Sequence, residues 1–191
     1  MLNVARRDSL SLEETDRSVV GYRWLECRRF ELLGAWVAST VELEVKQALV
    51  RHSHHHAWHA SLWEQHLPHR SAYQAPAAGR PGDGGLAVCV KVLAGADGPK
   101  TTVERLAGAY RVVAARAVAA YARHLGRTSE VSDPALARTC RLVLADQLDD
   151  WREGEALLQS FLDSDDRIER AAVSQAELEK LALATDRTDS A

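Results

Sequence analysis

Four long segments with helical periodicity, joined by connections of very unequal length, are the feature of this sequence that most limits its fold. Apolar residues recur every three to four positions in segments A (about 13–38), B (about 41–67), C (about 101–126) and D (about 134–163). Only a few residues join A to B and about seven join C to D, whereas roughly 33 residues separate B from C. The sequence therefore predicts an all-α bundle of four long helices in one domain.

The B–C connection, about 68–100, begins with a stretch rich in Pro, Gly and Ala. Its apolar part from Leu86 to Leu93 is compatible with a short strand or with a helical turn. A connection of this length can cross the whole bundle, which lets B and C run parallel; the alternative is a long surface insertion. After segment D, Ser174 and Glu177 have the spacing of a capping box, which predicts a short C-terminal helix over about 174–184.

Composition excludes several classes of protein. Apolar residues make up 46% and charged residues 27% of 191 residues, which is typical of a globular chain. The net charge of -3 and the absence of a Lys/Arg run argue against nucleic-acid binding, and no apolar stretch has the length of a membrane span. Isolated Cys27, Cys89 and Cys140 show neither zinc-site spacing nor a disulfide framework. We therefore expect a cytoplasmic protein.

Segment B has an unusual apolar face, because four imidazoles fall on it at i, i+3, i+4 and i+7. On a wheel of about 100° per residue these side chains share one side of the helix, whereas His54 points away. Imidazoles at this spacing converge in space, and a transition metal can use them as ligands. The alternative is that they hydrogen-bond to polar groups of the core. The four residues are His52, His55, His56 and His59.

Carboxylates also fall within or beside the apolar stripes of segments A and D. Glu26 lies inside the stripe of A, Asp150 lies inside that of D, and Asp146 lies at its edge. A carboxylate in a core needs a partner, a hydrogen bond or a metal, because burial of a bare charge is costly. For Asp146 and Asp150 the alternative to metal binding is an ion pair with an arginine such as Arg29 or Arg116.

The predicted register brings these faces to one height. Glu26 precedes the A–B turn by about as many residues as His54–His56 follow it, so they meet in an antiparallel hairpin. If C runs parallel to B, residue 114 lies level with His56, and Asp146 and Asp150 face the 110–114 part of C. The sequence therefore predicts a metal site in the middle of the bundle, with candidate ligands Glu26, His52, His55, His56, His59, Asp146 and Asp150.

Over about residues 13–163 this pattern resembles the ferritin-like superfamily, whose di-metal site takes one Glu from each of two helices and a Glu-x-x-His from each of the other two. Glu26 matches the single Glu of the first helix. His56-x-x-His59 and Gln147-x-x-Asp150 stand where the two Glu-x-x-His pairs are expected, and segment C offers no counterpart of the remaining Glu. The resemblance implies a divergent, histidine-rich member that binds a transition metal, iron first and manganese or zinc as alternatives.

The resemblance also implies a function, a metal-dependent oxidase or oxygenase acting on a small molecule. We expect its substrate pocket beside Tyr22, Trp63 or Tyr110. Two alternatives stay open. One is a non-catalytic bundle that forms a homodimer or binds a partner through exposed tryptophans such as Trp58. The other is a metal-free acid–base catalyst in which a carboxylate orients a histidine.

Overall fold

The computed structural model describes residues 9–68, 84–95, 98–128, 131 and 133–189. Regular structure within these ranges is entirely helical, which confirms the all-α prediction. α4 is one continuous helix over 102–127 that contains a π-helical segment, Ala107–Ala114, between two α-helical parts, Thr102–Leu106 and Ala115–Arg127. The other helices are α1 (Leu12–Ser39), α2 (Leu43–Glu64), α3 (Gly84–Ala94), α5 (Pro134–Phe161) and α6 (Asp165–Asp189).

Local capping fixes where the long helices begin. The Ser11 hydroxyl accepts a hydrogen bond from the Glu14 N–H, and the Glu14 carboxylate accepts one from the Ser11 N–H, which is a capping box for α1. The α5 helix begins at Pro134, and Oδ1 of Asp133 accepts from the Leu136 N–H at 3.0 Å. Both caps satisfy backbone donors that have no partner inside the helix.

The direction of α4 relative to α2 follows from contacts at both ends of the pair. The Thr102 hydroxyl donates to Glu42 at 2.7 Å, where both helices begin, and the rings of Trp63 and Tyr121 stack near their other ends at a centroid distance of 5.7 Å. The two helices are therefore parallel, as the long connection predicts. Within that connection, the apolar part from Leu86 to Leu93 is helical and belongs to α3. Residues 69–83 lie outside the described part of the chain.

The C-terminal helix differs from the prediction, because α6 begins at Asp165 and spans 25 residues. Ser174 is therefore inside the helix rather than at its cap, and its hydroxyl donates to the backbone oxygen of Glu104. Only a narrow stripe of α6 is buried, Ala171, Leu178 and Ala182. This weak amphipathic signal is the reason that periodicity missed the first nine residues of the helix.

The bundle interior holds large side chains together with an unusual set of polar ones. Among the described helices, none has both the length and the apolarity that crossing a membrane requires. Trp63, Tyr110 and Tyr121 are fully buried in the centre. The buried polar residues around them include Glu26, Arg29, His52, His56, His59, Gln147 and Asp150.

Candidate metal centre

Glu26 of α1 meets His56 and His59 of α2 in the middle of the bundle, and all three side chains are fully buried. The short connection makes α1 and α2 antiparallel neighbours, and residues three apart share a helix face. Oε2 of Glu26 lies 2.7 Å from Nδ1 of His56 and 3.4 Å from Nδ1 of His59. One ligand atom from each residue lies within 4.8 Å of the others, so the group can hold a metal ion.

Two further side chains support this group from outside. Tyr121 of α4 donates its O–H to Oε1 of Glu26, which leaves Oε2 directed toward the imidazoles. Oδ2 of Asp146 lies 3.0 Å from Nε2 of His59. In metal sites a ligating imidazole usually donates its other N–H to a carboxylate, and a ligating carboxylate is itself hydrogen-bonded. Asp146, predicted as a ligand, therefore lies behind the His59 ring, where it orients that ring.

A buried arginine and a glutamine complete the network. Arg29 donates to Oε1 of Gln147, and its Nη1 lies 4.0 Å from Oε1 of Glu26. The Gln147 amide nitrogen then faces the centre, 3.2 Å from Nδ1 of His56 and 3.4 Å from Oε2 of Glu26. The alternative arginine partners predicted for the α5 acids are not observed, because Arg29 binds Gln147 and Arg116 pairs with Asp186 on α6.

The protonation states follow from burial and from these contacts. Burial raises the pKa of Glu26, but the contacts with His56 and His59 outweigh burial and hold this pKa well below its usual range. Burial lowers the pKa of His56 to about 3. Burial also opposes protonation of His59, but Glu26 and Asp146 overcome it and raise the His59 pKa. The centre thus contains a carboxylate and the neutral imidazole of His56, which are forms that ligate metals, whereas His59 must release its proton when a metal binds.

The donor set fits a single transition metal ion. Nδ1 of His56 donates to Glu26, which leaves its Nε2 as a buried acceptor without a hydrogen-bond partner in the described part of the chain. Buried polar atoms are nearly always satisfied, so this atom marks an incomplete hydrogen-bond network on the far side of the ring from Glu26. One carboxylate and two imidazoles suit iron, manganese or zinc. A carboxylate-bridged pair of metals does not fit, because Glu26 is the only acid of this three-residue group.

The remaining predicted ligands form a second, neighbouring group. Nδ1 of His55 lies 2.9 Å from Oδ1 of Asp150, and Nε2 of His52 lies 3.1 Å from Oε2 of Glu153 and 3.4 Å from Oδ1 of Asp150. Because Nε2 of His52 faces carboxylates, its Nδ1 accepts the hydrogen bond of the Tyr110 O–H at 2.7 Å. Sequence periodicity predicts that Glu153 is solvated or in a surface pair, and its side chain is 42% exposed and pairs with Arg51. Its contact with His52 was not predicted; its position seven residues after Asp146 is the signal that could have indicated it.

The π-helical segment of α4 holds Tyr110 in this second group. A π turn widens the helix locally and is frequent at functional sites. The ring of Tyr110 packs directly on Gly154 of α5, where an added Cβ would lie 2.2 Å from Cδ1 of the tyrosine. Gly154 is therefore required for the close approach that brings Tyr110 to His52.

Of the three residues predicted to line a substrate pocket, Tyr22 borders a cavity of about 230 Å³ between α1, α3 and α4. Trp63 and Tyr110 are fully buried, and neither borders this cavity. The ring of Tyr22 contacts Tyr121 at a centroid distance of 4.6 Å, and Tyr121 binds Glu26. One tyrosine therefore separates the Tyr22 wall of the cavity from the carboxylate of the candidate metal centre.

Comparison with models of known protein families, with curated proteins and with solved structures finds no match. The arguments about function therefore depend on the geometry of the described residues.

Proposed function

We propose that this protein is a divergent ferritin-like metal protein that binds one transition metal ion through Glu26, His56 and His59. Iron is the first candidate, with manganese and zinc as alternatives. The observation that carries the proposal is the convergence of one carboxylate and two imidazoles within 4.8 Å in a fully buried space. Burial of these polar groups is costly unless they are fully paired or ligate a metal.

The proposed reaction class is an oxidation or oxygenation of a small molecule. Two histidines and one carboxylate form the ligand set of many non-haem iron oxygenases. Iron or manganese bound there supplies a one-electron redox couple and a Lewis acid. The chain's own groups hold and orient this set, since Asp146 fixes the His59 ring and Tyr121 fixes the Glu26 carboxylate.

Elemental analysis of untagged protein, with and without reconstitution by Fe²⁺, Mn²⁺ or Zn²⁺, tests the proposal. We expect one tightly bound ion per chain, lost in Glu26→Gln and His59→Ala. Glu31→Gln and His54→Ala are matched controls, because Glu31 and His54 lie on the same two helices but are exposed. Protein that takes up none of the three metals refutes the proposal, as does equal loss of metal in His54→Ala, which would indicate adventitious binding to the histidine-rich tract.

A partner-binding function is a second candidate, favoured by one observation. Trp58 on the outer side of α2 is 44% exposed, and Phe30 on α1 is 45% exposed. Exposed aromatic residues are enriched in protein interfaces. Trp36, a tryptophan that the sequence places beside the apolar stripe of α1, does not contribute to such a surface, because it is buried beneath Arg105. Sedimentation of the wild-type chain and of Trp58→Ser decides this candidate: a monomer at all concentrations in both argues against a dimer.

A further inference from the structure

A groove between α1 and α3 contains a buried arginine that has no carboxylate partner in the described part of the chain. Leu32 and Trp36 of α1 line it, as do Val90 and Leu93 of α3, and Arg105 of α4 contributes the cation. The volume of the groove is about 1140 Å³, which is as large as the pockets that hold small-molecule ligands. The apolar walls suit an apolar body, and the arginine adds a charge preference.

The guanidinium of Arg105 lies among residues that line the groove. Its Cζ lies 5.5 Å from the centroid of the Trp36 ring, and Nε donates to the backbone oxygen of Pro99 at 3.1 Å. Nη1 donates to the Thr40 hydroxyl at 3.5 Å. Arg105 as a whole is only 9% exposed, yet Nη2, which donates to no described residue, is not one of the fully buried unpaired atoms. A ligand in the groove can therefore reach Nη2.

The charge of Arg105 is not balanced by an ion pair within the described residues. Glu42 is the acid whose charge acts on it, but the Glu42 carboxylate accepts a hydrogen bond from the Thr102 hydroxyl at 2.7 Å and forms no ion pair with Arg105. Burial lowers the pKa of Arg105, but an arginine side chain stays charged at physiological pH. A buried charge is costly unless it is paired, so an anion in the groove would supply the missing partner.

The other charges of the groove also favour an anion. Among the described residues that line it, the cations are Arg28, Lys91, Lys100 and Arg105, and the one acid is Glu31. The Glu31 carboxylate pairs with Arg28 at 2.7 Å. The excess of positive charge attracts an anionic ligand and disfavours a cationic one.

The groove is elongated, because the residues of α1 that line it extend from Trp24 to Trp36, or about 18 Å of helix. Arg105 lies at the Trp36 end. The beginning of α3 lies at the other end, since Leu86 and Trp24 border the same smaller cavity. The distance from Arg105 to Trp24 is thus close to the length of an extended dodecanoate molecule.

We propose that this groove binds a fatty acid, whose carboxylate pairs with Nη2 of Arg105 while its alkyl chain lies along Leu32 and Val90 toward Trp24. A guanidinium matches the planar geometry of a carboxylate, and the hydrogen bonds between them are charge-assisted. The site is separate from the proposed metal centre, because none of the groove residues belongs to the Glu26, His56 and His59 group.

Calorimetric titration of the metal-free full-length chain with dodecanoate, below its micelle concentration, tests the proposal. Dodecyltrimethylammonium has the same alkyl chain with a cationic head, and octanoate has the same head on a shorter chain. We expect saturable binding of dodecanoate at one site per chain and no saturable binding of the cation. Octanoate should bind at least tenfold more weakly, because each fully buried methylene contributes about fourfold to affinity.

Arg105→Met removes the charge and keeps most of the apolar length of the side chain. It should weaken dodecanoate binding by about tenfold to a hundredfold, the worth of a hydrogen bond to a charged group. Arg123→Met is the matched control, because Arg123 is exposed on the same helix and does not line the groove. This control should bind dodecanoate within about twofold of the wild-type affinity.

Ala87→Phe is a second variant, which leaves Arg105 in place. Ala87 is half-buried and lines the groove on the first turn of α3, so a phenyl ring there takes the space of the far end of the alkyl chain. It should remove the preference for dodecanoate over octanoate.

Absence of dodecanoate binding to the wild-type chain overturns the proposal, as does equal binding of the cationic amphiphile. Unchanged dodecanoate affinity in Arg105→Met or an unchanged chain-length preference in Ala87→Phe also overturns it. Because no metal is present, the result is independent of the proposed metal function.

Discussion

Gly154→Ala provides a sharp test of how the π segment positions Tyr110. The added Cβ would lie 2.2, 2.3 and 2.4 Å from three ring atoms of Tyr110, far inside van der Waals contact. The ring cannot move into solvent, because Tyr110 is 1% exposed and hydrogen-bonded to His52. Overpacking of this kind costs about 1–3 kcal/mol, and loss of the hydrogen bond adds about 1 kcal/mol. The better helix propensity of alanine offsets about 0.5–1 kcal/mol.

We therefore expect Gly154→Ala to lower the free energy of unfolding by about 1–3 kcal/mol. Urea denaturation followed by circular dichroism measures it. Gly34→Ala is the matched control: it makes the same change in α1, where the added Cβ meets only the Ser53 hydroxyl at 3.3 Å. We expect the control to be neutral or stabilising by up to about 1 kcal/mol. Equal stability of the two variants would refute the packing of Tyr110 on Gly154.

Three further predictions concern stability. In the same urea assay, Arg29→Met should destabilise the metal-free chain by about 3 kcal/mol, because it leaves the buried Glu26 and Gln147 without their cation. Its control is Arg28→Met, which removes a surface ion pair and should cost under about 1 kcal/mol. Because burial lowers the pKa of His124 to about 4 in the folded chain, the unfolded chain binds a proton there at a higher pH, near 6.5. The contribution of His124 to the free energy of unfolding is therefore complete above pH 6.5 and is lost as pH falls toward about 4, by up to about 1.4 kcal/mol per pH unit. Urea curves of His124→Phe should show a shallower acid dependence. Ser11→Ala should cost about 1 kcal/mol in thermal unfolding through loss of the α1 cap; an unchanged midpoint would show that α1 does not depend on this cap.

Much of the candidate site could be predicted from the sequence because long helices impose a strict geometry. A three-residue connection, 40–42, fixes the register of α1 against α2, so a glutamate in one stripe must meet histidines in the other. This reasoning predicts the contact of Glu26 with His56, and the structure shows it at 2.7 Å. The parallel return of α4 follows in the same way from the length of the connection before it.

The polar residues that bind Glu26 and Gln147 were not predicted from the sequence, because hydrophobic periodicity does not show what a side chain hydrogen-bonds to. Tyr121 lies in an apolar stripe, and a core tyrosine looks the same on a helical wheel whether or not its hydroxyl binds a carboxylate. Arg29 is predicted only as an alternative partner of Asp146 or Asp150, yet it is buried and donates to Gln147 on the same helix as those acids. The π segment was not predicted either, because residues 107–114 continue the apolar helical pattern of segment C without a break.

The measurement that tests the metal centre most directly is an anomalous difference map from crystals of the untagged chain grown with Mn²⁺ or Fe²⁺. The geometry predicts one strong peak inside the bundle, within about 2.0–2.3 Å of a Glu26 oxygen and of one ring nitrogen from each of His56 and His59. In that state the direct hydrogen bond between Glu26 and His56 should be lost. A fully ordered bundle interior with that hydrogen bond intact, and with peaks only at exposed side chains such as His54, would contradict the account.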